Sequence, residues 1–128
     1  TPWEFHPVHH PSYIDFFERV LSETTDAVEM SQKYEKAFAE DEWYRHLYRT
    51  SYAYHGVHPF YMWYWCSHAL DHLSQVIIVG GEPEAVRRMG FRPASTIQDA
   101  LEIASDTVGF SPSITHYHSP PILMADVI

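Results

Sequence analysis

Ten histidines in a chain of 128 residues are the side chains best suited to chemistry near neutral pH, as metal ligands, proton carriers or hydrogen-bonding partners. Three pairs have spacings that can chelate: His55-x-x-His58, His68-x-x-x-His72 and His116-x-His118. His68 and His72 form the best-placed pair, because residues four apart share a face of a helix. Ala69, Leu70 and Asp71 stand between them, so the His-Glu-x-x-His arrangement is lacking, and the same spacings arise in surface and helix-end histidines. A second concentration overlaps the first. From Tyr52 to Trp65 the chain carries seven aromatic rings and two histidines in fourteen residues. Tyr, Trp and His join an apolar body to a polar tip, which suits a cleft wall that must be dry yet able to hydrogen-bond. A ring-rich core helix accounts for Phe60, Trp63 and Tyr64. Tyr61 and Trp65 fall on another face, and Tyr54, His55 and His58 precede the helix in irregular backbone, where binding residues concentrate. The candidate ligand-facing residues are therefore Tyr54, His55, His58, Tyr61 and Trp65, joined by His6, His9 and His10 of the opening loop.

Other candidates are weaker chemically. Gly80-Gly81 after an apolar strand could set a helix N-terminus against a phosphate, but Glu82 and Glu84 would repel an anion and the full Gly-x-Gly-x-x-Gly pattern is missing. Cys66 has no evident base partner and reads as buried. Asp41 and Glu42 read as a solvated helix start.

Several elements must position these groups. Residues 1–11, with Pro2, Pro7 and Pro11, read as a loop. Ser12-x-x-Asp15 has the form of a capping box ahead of Tyr13, Phe16, Phe17, Val20 and Leu21, which predicts a helix over about 12–22. Asp26-x-x-Glu29 opens a second helix to about 39, and a short third covers about 41–48. Gly56 breaks an irregular stretch, and Pro59 suits the first turn of a helix running to about Leu73. Phe60, Trp63, Tyr64, Ser67 and Leu70 share one face of it. Val76–Val79 reads as a buried parallel strand. Pro83 opens a helix through Arg88 that Gly90 closes. Ser95-x-x-Gln98 reads as a capping box before a helix with Ile97, Ala100, Leu101 and Ala104 inward and Gly109 at its end. Ile114–His118 reads as a second strand. Alternating strands and helices in the second half predict an α/β domain, its helices layered around a small, mostly parallel sheet.

Composition narrows the partners. Seventeen acidic residues against eight basic ones give a net charge of −9, and Arg87-Arg88 is the one adjacent basic pair; nucleic acid is not expected. No apolar run approaches the roughly 20 residues of a membrane-spanning helix, so no membrane partner is expected. The single cysteine cannot form an internal disulfide, which points to a reducing, cytoplasmic setting. The opening Thr1-Pro2-Trp3-Glu4-Phe5 has neither an initiator methionine nor the form of a signal peptide, and it resembles the exit from a strand. A single domain over 1–128, lacking its first strand or strands and part of a longer protein, is the expectation.

The run from Val76 to Leu101, Val-Ile-Ile-Val-Gly-Gly-Glu-Pro-Glu-Ala-Val-Arg-Arg-Met-Gly-Phe-Arg-Pro-Ala-Ser-Thr-Ile-Gln-Asp-Ala-Leu, resembles the C-terminal domain of the nickel-dependent lactate racemase (LarA-like) family. Thr1–Leu21 is similar to that family's loop leading into a Phe-rich helix. The resemblance implies a Rossmann-like layering and a two-domain parent whose active site lies between the domains. There a 2-hydroxy acid would be racemised or epimerised by hydride removal and return at a nickel-pincer nucleotide. The family's acid/base histidines, cofactor-tethering lysine and nickel-ligating histidine belong to its N-terminal domain, so no catalytic residue is carried over. The implied partners are that N-terminal catalytic domain and a small 2-hydroxy acid, with a homo-oligomer possible. This chain is more aromatic over Tyr54–Trp65 than the family pattern, which implies a bulkier or different hydroxy acid from lactate, or a separate branch of the family. Two other readings stand beside it: a small His-rich metal-binding protein, and an acidic protein-interaction module whose aromatic block is a docking patch.

Overall fold

Pro11 and Ser12 start the first helix without a side-chain cap. The expected Ser12/Asp15 capping box is not formed, because Ser12 lies buried inside the first turn and bonds His10 instead. A computed structural model describes residues 10–51 and 54–117; His6, His9 and His118 lie outside them. Helix α1 comprises Ser12–Asp15 and a wider π-helical continuation, Phe16–Val20. There the Leu21 N–H donates to the Phe16 carbonyl, five residues back, at 3.0 Å. Phe16, Phe17, Val20 and Leu21 are all buried, as their spacing predicts.

Asp26 caps the second helix as expected, its carboxylate accepting from the Glu29 N–H at 2.7 Å, a contact worth about 1 kcal/mol. Helix α2 runs through Ala27–Met30, a second π turn at Ser31–Glu35, and Lys36–Glu40. It sends only Met30 and Phe38 into the core. Helix α3, Glu42–Thr50, is capped by Asp41 through the Tyr44 N–H at 2.9 Å and buries nothing fully. Helix α4, His58–Leu70, has Pro59 in its first turn and ends three residues before the expected Leu73.

The core forms where α1, α2 and α4 cross. Phe60 is completely buried and meets Phe16 and Phe38 edge to face, with ring centroids 4.8 and 4.9 Å apart. Trp63 packs beside them and donates its indole N–H to the Thr25 carbonyl at 3.0 Å, tying α4 to the α1–α2 loop. Along α4, Phe60 and Trp63 are buried and Tyr64, Ser67 and Leu70 half-buried, as the periodicity predicts.

The second half is a β–α–β–α unit: β1 Ile77–Val79, α5 Pro83–Arg88, β2 Arg92–Ala94 and α6 Ile97–Val108. The strands pair in parallel, with Ile77 opposite Arg92 and Val79 opposite Ala94. The expected α/β class is therefore present, as a mixed fold with a two-stranded parallel sheet. Four details differ from expectation. Strand β2 was not foreseen. The capping box of α6 is Thr96 with Asp99, one residue beyond Ser95 and Gln98. Ile97 and Leu101 do not point inward: Ile97 is 71% exposed, because the sheet packs on the half-buried side containing Ala100, Ile103 and Ala104. Residues 114–117 take no regular structure where a strand was expected. No helix among the described residues is long and apolar enough to cross a membrane.

Candidate functional site

His10, expected to face a cleft, is only 2% exposed and belongs to the interior. Its Nδ1 accepts from the Ser12 N–H at 3.1 Å and lies 2.8 Å from the Ser12 hydroxyl. That leaves the proton on Nε2, which donates to the Tyr44 carbonyl at 3.3 Å. The neutral ring thus ties the start of α1 to α3. Burial, the largest influence, holds its pKa below the usual histidine value; the Tyr44 carbonyl opposes this, the His55 charge adds to it and the Asp41 charge opposes it. With the folded value depressed, the unfolded chain binds the extra proton first as pH falls. Stability from this group is therefore complete above about pH 6.5 and is lost as pH drops toward the folded value. In urea titrations at pH 7.5 and 5.5, His10→Gln should flatten the difference in midpoint relative to wild type. An unchanged difference would show that His10 does not carry it.

His58 is differently placed. It is the first residue of α4, half-buried, and its Nδ1 is hydrogen-bonded to the hydroxyl of Tyr13 on α1, 45 residues away in sequence. Which of the two donates follows the imidazole tautomer. Tyr54 stacks on the His58 ring at a centroid distance of 4.2 Å and an interplanar angle of 23°. The Tyr13 ring lies 6.2 Å from that of Tyr54. Burial, and secondarily Tyr54, raise the pKa of Tyr13 above the ordinary phenol value, so it stays protonated and able to donate.

Next to this cluster runs a groove of about 260 Å³ lined by Tyr13, Phe16, Phe17, Leu21, Pro59, Met62, Trp63, Cys66, Met89 and Phe91. Among the described residues no carboxylate lines its wall. The Arg88 guanidinium sits 5.0 Å over the Phe17 ring. Cys66 is exposed, not buried as expected. Sequence reasoning missed most of this wall. Tyr13 read as one more core position of α1, and Met89 and Phe91 flank Gly90, which read only as the close of a helix. Only their meeting with α4 in space makes them a surface.

The remaining candidates scatter. His55 accepts from the Val57 N–H at 3.3 Å and packs edge-on against Tyr48 at 5.1 Å. It lines a depression with Ala39, Glu40, Arg45, Tyr48 and Arg49 that shares no residue with the groove. Tyr61 and Trp65 are on the exposed side of α4, as their helical positions predict, and Trp65 is 75% exposed. Helix α4 stops at Leu70, and His72 follows in a tighter turn, its N–H on the Ala69 carbonyl at 3.1 Å. His68 and His72 are thus not on one continuous helix, as the chelating geometry requires. Among the described residues no group of three or more His, Cys, Asp or Glu side chains converges on a point where a metal ion could sit.

What the described surface offers is an apolar groove beside the Tyr13–His58–Tyr54 cluster, joined to it through Tyr13. Compared with models of known protein families, with curated proteins and with solved structures, the chain matches none of them.

Proposed function

We propose that this chain is the non-catalytic C-terminal α/β domain of a LarA-like racemase or epimerase of 2-hydroxy acids, and that it closes one side of the active-site cleft. The observation that carries this reading is the Tyr13–His58–Tyr54 cluster beside the groove, a wall with binding chemistry and no acid/base or metal centre of its own among the described residues. The sheet supports it. A parallel pair is ordinarily buried on both faces within a wider sheet, yet Ile77 and Ile78 are half-buried and Val79 exposed; further strands and a Rossmann-like layering would complete the unit. The nickel-pincer nucleotide would belong to the N-terminal domain, and a cytoplasmic location suits the single thiol.

In this reading His58 offers its Nε2–H to the acid, Tyr13 holds the ring in the donating tautomer, and Tyr54 excludes water. His55 serves the separate depression. In chiral chromatography of 2-hydroxy acids incubated with the full-length protein and its nickel cofactor, His58→Ala should lower kcat/KM roughly 10- to 100-fold. His55→Ala should leave it nearly unchanged. Absence of racemisation for every 2-hydroxy acid, or full activity in His58→Ala, would reject the reading. A second reading, a protein-interaction module, is favoured by the exposed apolar side of α6 and its continuation, where Ile97, Val108 and Phe110 are in solvent.

A further inference from the structure

Seventeen acidic residues leave little of this surface attractive to an anion, and most of the eight basic side chains are already engaged. Arg19, Lys33, Lys36 and Arg88 pair with Asp15, Glu23, Glu40 and Glu84, and Arg92 donates to the side chain of Gln75. Among the described residues the guanidinium groups of Arg45, Arg49 and Arg87 make no such contact. Two of these three meet at one place. Arg45 and Arg49 are one turn apart on α3 and so share a face. Both line the depression of about 430 Å³ that Ala39, Glu40, Tyr48 and His55 complete. That volume lies within the roughly 300–1,000 Å³ usual for small-molecule sites.

His55 is held in one hydrogen-bonding role. The Val57 N–H donates to its Nδ1 at 3.3 Å, so the neutral ring carries its proton on Nε2 and has a donor to offer. Tyr48 packs edge-on against that ring at 5.1 Å. Gly56 has space only for a hydrogen beside the Phe38 carbonyl and Tyr44, which lets the loop carrying His55 lie close against α2 and α3. The depression therefore gathers two planar cations and a neutral donor, a set suited to phosphate oxygens. One group opposes an anion: Glu40, whose carboxylate is 4.0 Å from the Lys36 ammonium. Its oxygens accept hydrogen bonds, so a guest that suits it brings hydroxyl donors along with the phosphate. Ala39 and the Tyr48 ring supply apolar contact for a carbon skeleton.

We propose that this depression binds a small sugar phosphate. Arg45, Arg49 and the Nε2–H of His55 take the phosphate, and Glu40 accepts from a sugar hydroxyl. The site shares no residue with the apolar groove or with the Tyr13–His58–Tyr54 cluster, and the proposal does not rest on the racemase reading.

Glucose-6-phosphate is the probe, in isothermal titration calorimetry on the full chain at constant ionic strength. It should bind one to one, at least about fivefold more tightly than inorganic phosphate, and glucose alone should give no measurable heat. Arg45→Lys and Arg49→Lys keep the net charge but lose the planar fork, and each should weaken binding roughly tenfold. Arg87→Lys, on α5, should leave it unchanged. His55→Asn retains an acceptor for the Val57 N–H while removing the Nε2–H, and should weaken both phosphates about fivefold. Glu40→Ala should weaken glucose-6-phosphate and spare inorganic phosphate. Arg45, Arg49 and Glu40 are exposed, so these changes leave the fold intact. Full affinity in both lysine variants would mean that charge alone attracts the phosphate, and would overturn the proposal. So would an absence of heat with millimolar glucose-6-phosphate, or an equal loss in Arg87→Lys. Inorganic phosphate binding as tightly as glucose-6-phosphate, with neither moved by Glu40→Ala, would overturn the assignment to a sugar phosphate.

Discussion

Phe60→Ala is expected to destabilise the protein by about 3–5 kcal/mol and to lower the melting midpoint by roughly 10–20 °C. The residue is fully buried and is the ring that both Phe16 and Phe38 contact edge to face, so one truncation opens a void shared by α1, α2 and α4. Relaxation is limited because Trp63, the next buried ring of α4, is held by its bond to the Thr25 carbonyl. Against a total stability of about 5–15 kcal/mol for a typical domain, the loss is roughly a fifth of the total or more. Trp65→Ala, on the same helix but in solvent, should change stability by less than about 0.5 kcal/mol. Circular-dichroism melts of the two variants make the comparison. Similar midpoints would mean that the three-ring contact is not the centre of the core.

Gly56→Ala should be the second most damaging change, at about 1–3 kcal/mol and up to the top of that range. A methyl group there would come within 2.6 Å of the Phe38 carbonyl oxygen and 3.0 Å of the Tyr44 side chain. The first contact is with backbone inside α2, which cannot step aside as a flexible side chain would. Because Gly56 lies between His55 and the start of α4, the displacement would be felt at His58. Urea denaturation should show a lower midpoint with an unchanged slope. Gly80→Ala, where a Cβ meets nothing within 4 Å but the backbone has a φ of +73°, should cost about 1 kcal/mol through strain alone. A Gly56→Ala midpoint equal to wild type would remove the close-contact account.

What could be read from the residues was local. Asp26, Asp41 and Pro83 marked helix starts because a short polar side chain or a missing N–H has one favourable position there. The inward face of α4 followed from spacing. Strand β2 was illegible because Arg92-Pro93-Ala94 has no strand propensity; it pairs because the Arg92 N–H reaches the Val76 carbonyl and the Gly80 N–H reaches that of Ala94. The orientation of α6 was misread because the sheet, and not the size of its apolar residues, selects the side that packs. Of the cluster at the start of α4, His58 was marked as a candidate by its aromatic surroundings. Its partner Tyr13 and the burial of His10 were not, since both depend on contacts more than thirty residues apart.

The π turn at Phe16–Val20 lets this segment carry one residue more than ordinary winding would accommodate. Wound as regular α-helix, that residue would swing everything ahead of it by about 100°. His10, Ser12 and Tyr13 all lie ahead of it. The wide turn takes up the surplus, so Phe17, Val20 and Leu21 stay in the core while the Tyr13 hydroxyl stays on His58. A change that forced regular winding at constant length would break the link between the core and that contact.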